Sequence, residues 1–105
     1  MVIVAVEVVF EEGALDVESV REAFRVMDEE SQKELGCLKY TSSVDINDST
    51  IVRIDEMWES MDALEAHFKE PHMAEFQKAL SRLKSKSMDA RVYAVEKELP
   101  FPNRQ

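Results

Sequence analysis

The chain opens on an unbroken apolar run. Residues 2 to 6 (Val2-Ile3-Val4-Ala5-Val6) are hydrophobic at every position, and Val2 to Phe10 is rich in β-branched residues, which predicts a first strand. A strand with one wet face alternates, so a run without alternation predicts cover on both faces. Glu11-Glu12-Gly13 reads as a turn, and Asp16 is the expected N-cap of a helix with Glu18 near its positive end. Val17, Val20, Phe24, Met27 and Leu35, with Ala23 beside them, form one apolar helical face; Glu18, Arg21, Glu22, Arg25, Glu29 and Lys33 form the opposite one. Gly36 is the expected helix stop.

Cys37 to Val44 predicts a second strand with Leu38, Tyr40 and Ser42 on one face. Asp45 to Ser49 is turn chemistry, with Asn47 in a loop role. Ile51 to Trp58 predicts a third strand, antiparallel to the second; Val52, Ile54, Glu56 and Trp58 share one face, and Ile51, Arg53, Asp55 and Met57 the other. Ser60 caps the next helix, in which Leu64 and Phe68 are placed to face the core. Pro71 has no amide proton, so the helix breaks or restarts there. The second half presents His72 or Met73, then Phe76, Ala79, Leu80 and Leu83. Ser85 to Asp89 reads as a loop and Ala90 to Leu99 as a fourth strand, with Pro100 and Pro102 ending regular structure. The order is β-α-β-β-α-β. That is an α+β class fold of ferredoxin-like type: a four-stranded antiparallel sheet with its helices on one face. Two helices cover one side of such a sheet. The run from Val2 to Val6 then needs a second cover, which a second copy of the chain supplies most simply: a homodimer through the open sheet face.

Composition narrows the function. A chain of 105 residues that is 45% hydrophobic and 33% charged is expected to be one globular domain over residues 1–105. A net charge of −9 argues against nucleic acid and against acidic membranes; Arg82, Lys84, Lys86 and Arg91 are too few to reverse it. One cysteine, Cys37, cannot form an internal disulfide and reads as a small buried hydrophobe. With no basic leader, and an apolar run too short for a bilayer, the expected location is cytoplasmic. Only Gly13 and Gly36 are glycines, so no glycine-rich nucleotide loop is available. Two histidines, His67 and His72, flank Pro71. Their separation of five does not suit metal binding on a continuous helix, even with Glu56 as a third ligand, and no metal is expected.

The stretch Glu56-x-Trp58, Ser60, Ala63-Leu64-x-Ala66-His67, Pro71-His72 and Phe76, with Gly36-Cys37-Leu38-x-Tyr40 before it, resembles the antibiotic biosynthesis monooxygenase (ABM) family of dimeric α+β barrels. Within that family the likeness is to small quinol monooxygenases. The resemblance implies insertion of one atom of O2 into a small quinol or phenolic aromatic, with the deprotonated substrate reducing oxygen and no metal, flavin or haem taking part. It also implies a cavity in each subunit between sheet and helices. The haem-degrading branch is not matched: its tryptophan falls on His67, its axial histidine on Gln77, and residues 2 to 9 contain no asparagine.

On that resemblance the expected catalytic residues are His67, Trp58 and Tyr40. His67 takes a phenolic proton or stabilises the anion, Trp58 stacks on the ring, and Tyr40 anchors a substrate oxygen. His72, Phe68, Phe76, Phe24 and Met73 are the expected substrate-binding residues. Each has a bland alternative: core packing for Trp58 and the phenylalanines, an inert hydrogen-bonded ring for each histidine, a solvent-tipped strand residue for Tyr40. Glu56 reads as structural, pairing with Arg53 or Arg91 or holding backbone. Two other classes stay open. One is an isomerase or decarboxylase on the same fold; the other is a non-catalytic small-molecule-binding or stress-associated module.

Overall fold

In the computed structural model, which describes residues 1–102, the elements are β1 (Val2–Phe10), a 3-10 turn (Ala14–Asp16), α1 (Glu18–Gln32), β2 (Cys37–Val44), β3 (Ile51–Trp58), α2 (Met61–His67), α3 (Pro71–Leu80) and β4 (Ser85–Ala94). The strands form one antiparallel sheet in the order β2-β3-β1-β4, the ferredoxin-like arrangement expected. No helix among the described residues is long and apolar enough to cross a membrane.

Register explains the inner face. β1 pairs with β3 from Val2↔Trp58 to Val9↔Ile51, and with β4 from Val2↔Ala94 to Phe10↔Ser85. Val4 therefore lies between Glu56 and Val92, Val6 between Ile54 and Ala90, and Val8 between Val52 and Met88. The helices cover this face over β1, β2 and β3, where Val2, Val4, Phe10, Tyr40, Val52, Ile54 and Trp58 are buried with Val20, Phe24 and Met27 of α1 and Leu64 of α2. The opposite face carries Ile3, Ala5, Glu7 and Val9 beside Met57, Asp55, Arg53 and Ile51. It is mixed rather than uniformly apolar: Arg53 pairs with Glu7 at 3.7 Å and Asp45 at 2.6 Å, and Lys39 with Asp55 at 2.6 Å.

Several local expectations change. Asp16 ends the 3-10 turn instead of capping α1, whose N-cap Val17 offers no side-chain bond; Leu15 is buried in its place. α1 ends at Gln32, so Leu35, helical in spacing, is 95% exposed. Gly36 is not the helix C′ residue but the left-handed turn into β2, at φ 84°. A register shift between Cys37 and Lys39 turns Leu38 outward, away from the side that Tyr40 shares with the core. Arg53 faces the side opposite Glu56, and Arg91 pairs with Asp89 at 3.0 Å, so neither balances Glu56. β4 starts and stops five residues before the predicted strand. Its Ser-Lys-Ser start has little strand propensity, but pairing with the full length of β1 recruits it as an exposed edge.

Candidate functional site

Between the inner sheet face and the helices lies a cavity of about 480 Å³. Its walls are valines of β1, Phe24 of α1, Phe76 and Leu80 of α3, and Met88, Ala90 and Val92 of β4. Met88, Val92 and Phe68 are largely exposed and mark its open side. Phe68, placed in the core by sequence, is 59% exposed and reaches the cavity from its rim. Phe24, Phe76 and Met73 line the wall as well. Into this apolar space Tyr40, Glu56 and His67 bring polar groups from β2, β3 and α2, and Gln77 and Ser85 from its edge.

The local sequence sets these positions. Ser60 Oγ accepts the Ala63 amide at 3.1 Å and starts α2, a short helix of seven residues that ends at His67. Pro71 at N1 restarts the chain as α3, leaving His67 at a helix end and His72 at a helix start. His67 is 1% exposed, with Trp58 at 4.7 Å and Tyr40 at 5.4 Å between ring centroids. Its Nδ1 meets Glu34 Oε2 at 2.7 Å, and His72 Nε2 meets the same oxygen at 2.5 Å. With Nδ1 engaged, Nε2 is the nitrogen of His67 left for a cavity ligand.

Trp58 does not line the cavity; it is fully buried behind the wall, and its Nε1–H donates to Glu56 Oε1 at 2.9 Å. The expected stacking on a ligand does not fit this placement; its ring neighbour is His67, tilted by 41°. His72 is also off the cavity lining, turned to Glu34. Burial pushes the Glu56 carboxyl from 4.5 up to about 7, with the Glu34 and Asp55 charges adding to the rise and the Trp58 bond opposing it. Burial, then the charges of Glu56, Asp28 and Glu34, push the Tyr40 phenol far above its ordinary value, so it stays a hydroxyl donor. The site thus sets a neutral donor, a carboxyl poised near neutrality and an imidazole around an apolar cavity. Titrating groups in such a cleft are where proton chemistry concentrates.

A family model described as antibiotic biosynthesis monooxygenase matches residues 1–79. The chain belongs to this family. Solved structures agree at the level of the fold. A proposed antibiotic biosynthesis monooxygenase from Deinococcus radiodurans superposes with a TM-score of 0.84 at 21% identity, over 98% of this chain and 100% of that one. Another from Nitrosomonas europaea gives 0.81 at 18% identity, over 92% and 100%. Rv0793 from Mycobacterium tuberculosis gives 0.80 at 20% identity, over 94% and 98%. No curated protein matches the chain. For this ABM domain, sequence reasoning missed Glu34 altogether and gave Glu56 only a structural role. The signal for Glu56 was available: a carboxylate on the same strand face as Val52, Ile54 and Trp58 has to be buried.

Proposed function

We propose that this ABM protein is a monooxygenase of a small quinol or phenolic aromatic, using O2 without a bound redox cofactor. The observation that carries the reading is the cavity itself. At about 480 Å³ it falls within the roughly 300–1,000 Å³ of small-molecule sites, and its few polar groups converge from three elements. A flat aromatic buries its faces against Val6, Ile54, Phe24 and Phe76. Its phenolic oxygen meets Tyr40 and His67. Tyr40 donates to that oxygen, and His67 Nε2 or the Glu56 carboxylate takes its proton. The anion then reduces O2. For a quinol, hydroquinone and O2 become hydroxyquinone and H2O; for a phenolic with a ring CH2, CH2 and O2 become C=O and H2O. In both the substrate supplies all four electrons. Trp58 is a positioning residue, fixing the Glu56 oxygen and the plane of His67. The active unit is a homodimer through the open sheet face, where Ile3, Val9, Ile51 and Met57 remain only partly buried. The expected location is cytoplasmic.

The test is oxygen uptake with a panel of hydroquinones and anthrones, for wild type and for His67→Ala and Tyr40→Phe. The expected result is substrate-dependent uptake that falls roughly 10²–10⁴-fold in His67→Ala, the range for a lost acid–base group. Uptake unchanged by His67→Ala removes His67 from the mechanism. Ligand-induced thermal stabilisation without turnover supports a binding module instead, and turnover without oxygen consumption supports an isomerase or decarboxylase.

A further inference from the structure

We propose that Glu34, His67 and His72 form a binding site for one divalent transition-metal ion of the zinc and cobalt type. Their ligand atoms, one carboxylate oxygen and two imidazole nitrogens, all lie within 4.8 Å of one another, and no other described group of three does this. A spacing of five with an intervening proline disqualifies the histidines only on a continuous helix. Here Pro71 breaks the helix, and the two rings approach to 6.1 Å between centroids from separate helix ends. The third ligand comes from the turn between α1 and β2, held against α2 by Gly36: the Gly36 carbonyl accepts the Glu59 amide at 2.8 Å, and a Cβ on Gly36 would sit 2.7 Å from Ala63 Cβ.

Charge supplies an independent argument. The Glu34 side chain is 8% exposed, and its partners among the described residues are the two imidazoles, with no lysine or arginine. A carboxylate taken out of water is stabilised by donors or a positive charge beside it, and here two imidazole nitrogens converge on one of its oxygens. A divalent cation supplies that charge and occupies the position of the two shared protons. Nitrogen donors with one carboxylate select zinc-like ions over magnesium or calcium. Ligand atoms around a tetrahedral zinc are about 3.3 Å apart. The 2.7 and 2.5 Å separations therefore open by about 0.7 Å on loading. His67 is held in the core, so the movement falls to Glu34, on the turn between α1 and β2, and to the partly accessible His72 at the first turn of α3. Neither Glu34 nor His72 lines the cavity, so the ion sits behind His67 and clips the α1–β2 turn to α2 and α3. With an ion on Nδ1 the ring proton of His67 lies on Nε2, so in the loaded protein His67 donates to the phenolate and the Glu56 carboxylate takes the phenolic proton; the binding test reads no turnover and is scored separately from the oxygen chemistry.

The chain has two histidines, which makes the test unambiguous. Chelator-stripped full-length protein is titrated with Zn²⁺ by calorimetry and with Co²⁺ by visible absorption, while the imidazole proton and nitrogen signals are followed by NMR. The expected result is one ion per chain, cobalt d–d bands, perturbation of both histidines and a raised melting temperature. Glu34→Gln and His72→Ala, each checked for folding by circular dichroism, are expected to weaken binding beyond the roughly 10–100-fold cost of an outer-shell change. No uptake at millimolar metal overturns the proposal, as does binding of equal affinity in both folded variants. Apo-like histidine signals in the metal-loaded protein overturn it as well.

Discussion

Replacing Glu56 by glutamine isolates one buried ionisation. The carboxyl sits on the inner face of β3 with Trp58 Nε1–H as its donor, and burial lifts its pKa from 4.5 to about 7. That rise corresponds to roughly 3 kcal/mol at about 1.36 kcal/mol per pKa unit. The folded chain holds this proton more tightly than the unfolded chain. Glu56 therefore stabilises the fold fully below about pH 4.5, and the contribution is lost as pH rises through about 7. Glutamine keeps an oxygen that accepts from Trp58 and does not titrate. Urea unfolding of both proteins, at fixed protein concentration from about pH 4 to pH 8, gives the difference free of other titrating groups. Wild type is expected to lose roughly 3 kcal/mol relative to Glu56→Gln across that range. A carbon-13 titration of the carboxyl is expected to show a midpoint of about 7. A pH-independent difference between the two proteins, with a midpoint near 4.5, would refute the reasoning.

Other outcomes follow from the same packing. Gly36→Ala places a side chain at φ 84° and against Ala63, and is expected to cost at least about 2 kcal/mol in thermal or urea unfolding. Trp58→Phe removes the donor to Glu56, and should raise the Glu56 midpoint above wild type while costing about 1–3 kcal/mol for the buried acceptor left unpaired. Light scattering of wild type is expected to give twice the chain mass, and Ile3→Lys on the open sheet face to give the chain mass alone; a wild-type monomer would count against the dimer.

How much the sequence reveals depends on how local each constraint is. β3 is legible because its alternation puts Val52, Ile54, Glu56 and Trp58 on one face, and all four are buried. The Ser60 cap and the Pro71 restart follow from the chemistry of single residues. β4 is not legible at its start, because Ser85-Lys86-Ser87 becomes strand by pairing with β1, a partner more than seventy residues away in sequence. Leu35 misleads because periodicity continues past the point where α1 ends. The site divides in the same way. His67 and Tyr40 follow from the family resemblance, Phe24 and Phe76 from the apolar faces of their helices, and all four line one cavity. Glu34 could not, since its partner His67 is 33 residues away and no spacing rule joins them. An indole suits stacking on an aromatic ligand, but the register of Trp58 opposite Val2 and Cys37 seals it inside.

The account rests on a cavity in which a deprotonated aromatic meets oxygen. Turnover of a hydroquinone or anthrone under ¹⁸O2, with product mass measured against turnover in ¹⁸O-labelled water, tests this most directly. The prediction is one heavy oxygen in the product from O2 and the second recovered as water, with both signals lost in His67→Ala. A product that carries no oxygen from O2, formed at the same rate with oxygen removed, would contradict it.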